Sequence, residues 1–198
     1  MPAPVTAILD TFTRADGAVG SNYTITPAGG STSLGPQVSS NQCVAGSEYW
    51  GIVWNVATYG PDSEFYLTFV SGLSSAEGFA LFIRLTGTDP FGSSSGYTIS
   101  VVPNATTANV FIQRIDGSVF TQLGAAADLS LSNGDVVSAQ AIGSDIALWR
   151  SNALVASRTD STYPSAGYVG AYLASAGEAM VFDNFGGGTI RYYLLVKD

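Results

Sequence analysis

The stretch Glu77-Gly78-Phe79-Ala80-Leu81-Phe82-Ile83-Arg84-Leu85-Thr86 decides the fold class. Phe79, Leu81, Ile83 and Leu85 occupy alternate positions, with Ala80, Phe82 and Arg84 between them. A period of two over this length is a strand with one face in a core, because a helix needs apolar residues three and four apart. The same grammar recurs on both sides, at 65–70, 97–101, 110–115, 136–142, 146–150, 153–158, 167–173 and 179–185. Turn signals separate these runs: Pro103-Asn104, Asp116-Gly117, Asn133-Gly134-Asp135, Gly143-Ser144 and Ser151-Asn152. The one segment of helical composition, 124–131, is too short to anchor a layer. Many short, evenly spaced strands imply an all-β sandwich or barrel in a single domain.

Composition narrows the function. The chain has 198 residues, of which 46% are hydrophobic and 11% charged, against roughly 25% charged in an average globular domain. A disordered chain would show the opposite balance. Seven basic and fifteen acidic residues give a net charge of -8, which argues against binding a nucleic-acid backbone. Histidine is absent, so Ser-His-Asp and Cys-His nucleophiles, histidine-ligated zinc and histidine pH switches are all excluded. Cys43 is alone, forms no disulfide within the chain and is read as a core filler. No apolar run approaches the roughly 18 residues of a membrane span. The opening Met1-Pro2-Ala3-Pro4 carries no basic and apolar leader pattern, so synthesis without a signal peptide is expected.

The two ends carry a resemblance. Asp10-Thr11-Phe12-Thr13-Arg14-Ala15-Asp16-Gly17, followed by Gly20-Ser21-Asn22-Tyr23, resembles the opening of concanavalin A-like (laminin G-like) jelly-roll modules. Gly167-Tyr168-Val169-Gly170 and Phe182-Asp183-Asn184-Phe185-Gly186-Gly187 are similar to their closing strands. The resemblance implies a two-sheet antiparallel jelly-roll sandwich over residues 1–188, with the first and last strands adjacent. It leaves 189–198 outside the family pattern, as a C-terminal apolar strand or docking tail. Modules of this kind without a signal peptide resemble minor tail and decoration proteins on the virions of tailed bacteriophages. The same sandwich hosts lectins, glycanases and purely structural modules, so function has to come from the residues.

Glycanases of this group carry acidic residues at alternate strand positions, where a nucleophile and a general acid share one face. The only i, i+2 pair with a glutamate here is Asp62 and Glu64, which follow Gly60-Pro61. It reads as a solvated strand entrance, so no catalytic residue is assigned and no enzyme activity is expected. Adjacent end strands would bring Asp10 and Asp183 near each other, where two carboxylates and main-chain oxygens suit Ca2+. The competing reading is that each accepts turn hydrogen bonds. No cofactor is required.

Sugar contact uses aromatic faces beside amides and carboxylates. Tyr49, Asn55, Tyr59, Trp149 and Tyr163 are the candidates, whereas Trp50, Ile52 and Trp54 share a face that reads as core. Ile190, Tyr192, Leu194 and Val196 are candidates for docking a partner by strand addition. The function expected is a non-enzymatic virion surface protein, as a homo-oligomer or multicopy assembly, adhering to host or environmental glycans and contacting other virion proteins. The alternatives are a decoration protein docked through its C-terminal strand, and a bacterial carbohydrate-binding module or glycan hydrolase.

Overall fold

The computed structural model describes residues 3–29, 34–73, 78–104, 107–175 and 180–192. Within them the chain is entirely strand and loop. The strands are β1 (Ile8–Asp10), β2 (Gly17–Ala18), β3 (Tyr23–Pro27), β4 (Gln37–Ser39), β5 (Gln42–Val44), β6 (Glu48–Tyr59), β7 (Ser63–Ser71), β8 (Phe79–Leu85) and β9 (Gly96–Asn104). They continue as β10 (Thr107–Asp116), β11 (Val119–Gln122), β12 (Ala127–Leu129), β13 (Val136–Ile142), β14 (Asp145–Arg150), β15 (Ala153–Thr159), β16 (Gly167–Ser175) and β17 (Val181–Thr189).

Two antiparallel sheets form a sandwich. Sheet A runs β15-β14-β13-β7-β17-β5-β4-β2, with β1 paired to β17. Sheet B runs β11-β10-β9-β8-β16-β6-β3, with β12 paired to β10. The first and last strands are neighbours, as the resemblance implied. The inner faces bury Phe65, Leu67 and Phe182 from sheet A against Phe79, Leu81, Ile99, Val169 and Ala171 from sheet B. Phe185 is the hub of one end, with Phe12, Phe65 and Tyr23 edge-on to it at 4.9, 5.7 and 6.4 Å. Cys43 is fully buried in this core, and burial pushes its thiol upward, away from reactivity.

The turn chemistry acts as its residue types dictate. Asp116 pairs with Val119 across Gly117-Ser118, with Gly117 at φ 64°. Arg150 pairs with Ala153 across Ser151-Asn152, both in the left-handed region that two-residue hairpins require. Residues 124–131 contain β12 and no helix. Pairing Ala108 with Leu129 buries Leu129 to 3% exposure, and sheet edge plus core outweigh a short segment's local preference.

The deciding strand departs from strict alternation at its end. Phe79, Leu81 and Ile83 face the inner core, but Arg84 takes φ 53°. Opposite it, the pairing of β16 slips between Tyr168 and Gly170. The extra residue turns Leu85 outward to join Phe82, the usual effect of a bulge. Both faces of β8 are therefore buried, the outer one by a loop described below.

Glu64 corrects the reading of 62–64 as a solvated entrance. It lies inside β7 with 0% exposure. One carboxylate oxygen accepts from the Val5 and Thr6 amides at 2.8 and 2.9 Å and from the Thr6 hydroxyl at 2.8 Å. The other accepts from Ser138 Oγ at 2.7 Å and Gln140 Nε2 at 3.0 Å. The N-terminal segment thus lies over the outer face of sheet A, sealing a carboxylate that five donors satisfy. Gly186 permits this arrangement, since a Cβ there would fall 2.0 Å from the Tyr66 ring. The Tyr66 hydroxyl in turn donates to Thr6 O at 3.3 Å.

Candidate functional site

Small and apolar residues on the outer face of sheet B shape one groove. From β8 and β16 come Phe82 and Tyr172, beside Val53 of β6 and Ile115 of β10. The loop between β8 and β9 folds back over them. Asp89 holds its tip by accepting from the Phe91 and Gly92 amides at 3.2 and 3.1 Å, an Asx turn that presents Pro90 and Phe91. Gly51 makes room, because a Cβ there would meet Phe91 at 2.9 Å and Pro90 at 3.0 Å.

The result is a row of rings. Phe91 stands edge-on to Phe82 at 6.2 Å and to Tyr172 at 5.5 Å, and Tyr172 stacks on Tyr49 at 6.3 Å. Phe120, 42% exposed on the β10–β11 hairpin, borders the same groove of about 280 Å³. Thr98, Ser100 and Gln113 line it with polar groups. Ser100 Oγ donates to Gln113 Oε1 at 3.1 Å, which leaves the two Nε2 donors of that amide outside this bond. Aromatic faces beside fixed amide and hydroxyl groups bind flat ligands carrying both C–H and O–H surface.

Of the five aromatic and amide candidates, Tyr49 joins this row. Trp149 is half-buried on the outer face of sheet A. Asn55 donates to Ser21 O at 3.1 Å and Thr24 Oγ1 at 3.4 Å, fastening the turn before β3. Tyr59 is partly buried opposite Gly167. Tyr163 is bound into the end of the sandwich, its hydroxyl donating to Asp116 at 2.6 Å and its amide to the Tyr97 hydroxyl at 3.0 Å. Phe82, Phe91, Gln113, Phe120 and Tyr172 were not legible as one site. The nearest signals are aromatics set beside turns, Pro90-Phe91-Gly92 and Asp116-Gly117 before Phe120.

The Tyr163 end is a charge network. Asp160 accepts from the Tyr97 hydroxyl at 2.8 Å and from Arg114 at 3.1 Å, and Arg114 also pairs with Asp116 at 2.9 Å. Burial, with Asp160 adding to it, pushes the Tyr97 phenol up to about 12. The Tyr163 hydroxyl and the Arg114 guanidinium hold Asp116 below its ordinary value. Asp160 is also lowered: burial opposes, but bonds from Thr162, Tyr97 and Arg114 outweigh it. A carboxylate depressed on folding stabilises above its unfolded value of 3.8 and loses that contribution as pH falls through its folded value. The unfolding free energy should therefore drop as pH falls below 3.8. Urea titrations across that range should show a flatter acid slope for the Asp116→Asn/Asp160→Asn double variant.

Asp10 and Asp183 occupy neighbouring strands, and Asp10 is committed locally. It accepts from Arg14 at 2.8 and 3.0 Å, from the Phe12 amide at 2.7 Å and from the Tyr23 hydroxyl at 3.1 Å. The Arg14 guanidinium also sits 5.3 Å from the Phe12 ring centre. The opening motif is thus a clasp that bends the chain into the core. Asp183 Oδ1 accepts from the Asn184 amide at 2.7 Å. Among the described residues no group of three or more Cys, Asp or Glu is arranged to hold a metal ion. Of the tail candidates, Ile190 is 4% exposed against its own chain and Tyr192 is 55% exposed. Leu194 and Val196 lie outside the described residues.

Solved structures share this architecture. The carbohydrate-binding module CBM66 from Bacillus subtilis aligns with a TM-score of 0.59 at 18% identity, over 84% of this chain and 95% of that one. The VIP36 exoplasmic/lumenal domain, in its Ca2+/Man3GlcNAc-bound form, aligns at 0.58 and 11% identity, over 89% and 90%. LamAcat from Zobellia galactanivorans aligns at 0.55 and 12% identity, over 91% and 96%. Such identities show the fold alone. No family model matches the sequence, and no curated protein matches it.

Proposed function

We propose that this chain is a non-enzymatic glycan-binding module whose ligand lies in the groove of sheet B. The observation that carries the reading is the row Phe82, Phe91, Tyr172 and Tyr49 beside Gln113 and Ser100. Solved sandwiches that include carbohydrate-binding proteins support the ligand class. The non-enzymatic part rests on the Asp62 and Glu64 carboxylates. Glu64 is saturated by structural donors, and Asp62 accepts from the Gly143 amide at 2.8 Å and faces Arg84 at 3.6 Å. Neither is placed to serve a substrate.

The setting we propose is the exterior of a tailed bacteriophage particle, where many copies turn weak single-site contact into avidity. The opening motif's resemblance and the low charge density support it, and immunogold labelling of purified particles tests it. A bacterial carbohydrate-binding module would use the same groove. A multivalent glycan array tests the groove itself. Phe91→Ala should weaken the strongest array signal about tenfold, the worth of roughly 1.4 kcal/mol of ring contact. Absence of binding to any glycan, or equal binding by the variant, overturns the reading.

A further inference from the structure

We propose a second saccharide contact site on the outer face of sheet A, built around Trp149 and independent of the groove. A cavity of about 290 Å³ there is lined by Gln140, Ile142, Asp145, Trp149, Leu154 and Ser157. Three strands supply it: Gln140 and Ile142 from β13, Asp145 and Trp149 from β14, Leu154 and Ser157 from β15. Trp149 is cross-strand from Leu154, so one wall joins an indole to an aliphatic side chain that is 54% exposed. The pairing of β14 with β15 slips between Leu148 and Trp149, as a bulge does when it re-aims a side chain.

The polar groups are held in place. Gln140 is 1% exposed and anchored by its Nε2 bond to Glu64. Asp145 accepts from Thr159 Oγ1 at 3.2 Å. Trp149 Nε1 is buried and finds no acceptor among the described residues, so none of them fixes the polar edge of the ring. An apolar wall facing a carboxylate, an amide and a hydroxyl matches a hexopyranose, with one C–H face and a rim of hydroxyls. Among the described residues, Asp145 is the only charged one lining the cavity, on a chain of net charge -8, so the ring it takes is neutral and not a uronic acid. The sugar class rests on the proposed function, but the site does not, since none of these residues touches the groove. Two sites on opposite faces would make a single chain bivalent.

The tryptophans provide the test. Trp50 and Trp54 are 8% and 7% exposed, Trp149 is half-buried, and none of the three lines the groove. The Trp149 indole resonance, identified by its loss in Trp149→Phe, therefore reports this cavity, and the Gln113 side-chain amide reports the groove. The probes are the methyl glycosides of mannose, glucose and galactose, with methyl glucuronide as the charged comparison. At least one neutral glycoside is expected to shift the Trp149 resonance saturably, in wild type and in Phe91→Ala alike, and the glucuronide is not. Asp145→Asn should weaken that response about tenfold, the worth of a charged hydrogen bond. A Gln113 shift without a Trp149 shift overturns the second site and leaves the groove standing. A glucuronide response equal to the neutral ones overturns the charge argument. Silence at both reporters overturns both sites.

Discussion

Glu64→Ala should lower the unfolding free energy by about 3–5 kcal/mol, because it strands donors in a dry place. The Ser138 and Thr6 hydroxyls can rotate toward other acceptors, but the Val5 and Thr6 amides cannot. For a chain of this size the loss corresponds to a fall in Tm of about 10 °C. Glu64→Gln should cost about half as much by the same reasoning. Its amide oxygen can keep the two main-chain donors while its NH2 faces Ser138 and Gln140, whose hydroxyl and amide can reverse to accept. Thermal melts of the three proteins, with amide exchange at Val5 and Thr6, check the ordering. A loss below about 1 kcal/mol with unchanged exchange at Val5 and Thr6 would mean the carboxylate does not hold the N-terminal segment.

Arg84→Met is expected to cost about 3–4 kcal/mol, although it removes one charge and retains most of the buried volume. Arg84 is 2% exposed. Its guanidinium donates to Pro61 O at 2.7 Å, Gly143 O at 2.9 Å and Tyr163 O at 3.3 Å, and faces Asp62 at 3.6 Å. Burial lowers its pKa, yet an arginine stays charged under all these conditions. One side chain thus ties three loops at one end of the sandwich, and a methionine takes this donor from three carbonyls and the facing charge from Asp62. The left-handed backbone at this residue, φ 53°, offers a control. Arg84→Gly relieves that strain, worth about 1 kcal/mol, but lacks the guanidinium and should still be less stable than wild type. Urea unfolding of both variants decides it, and a glycine variant as stable as wild type would reduce Arg84 to a strained bystander.

These two residues mark where sequence reasoning stopped. Alternation and turn chemistry gave the strands and hairpins because both are local: a period of two and a left-handed pair act without knowledge of the partner strand. The end motifs supplied what is not local, the pairing of the first strand with the last. Burial of a charge depends on what the rest of the chain places around it. Glu64 looked like a solvated neighbour of a turn because its cover comes from Val5 and Thr6, some sixty residues away. Alternation placed Arg84 only on the face opposite Phe79, Leu81 and Ile83, because nothing nearby announces the bulge that redirects it. The groove failed to read for a similar reason. Its rings come from β6, β8, β11, β16 and a loop, and each alone resembles core or rim. Tyr49 and Trp149 were named as single candidates, and they lie on opposite sheets.

The position of β17 has a consequence for how the protein is made. That strand, reaching Thr189, sits inside sheet A between β7 and β5 and also carries β1. During translation, β7, β13, β14 and β15 can zip together while β1 and the β2, β4, β5 group remain unattached on the other side. The sheet has a gap at its middle until residue 189 has left the ribosome. Folding is thus gated by the last strand of the described chain, and contacts that span nearly its whole length close slowly. Until then, two unpaired sheet edges stand open to neighbouring nascent chains, so a ribosome stalled before residue 181 would release an aggregation-prone half-sandwich.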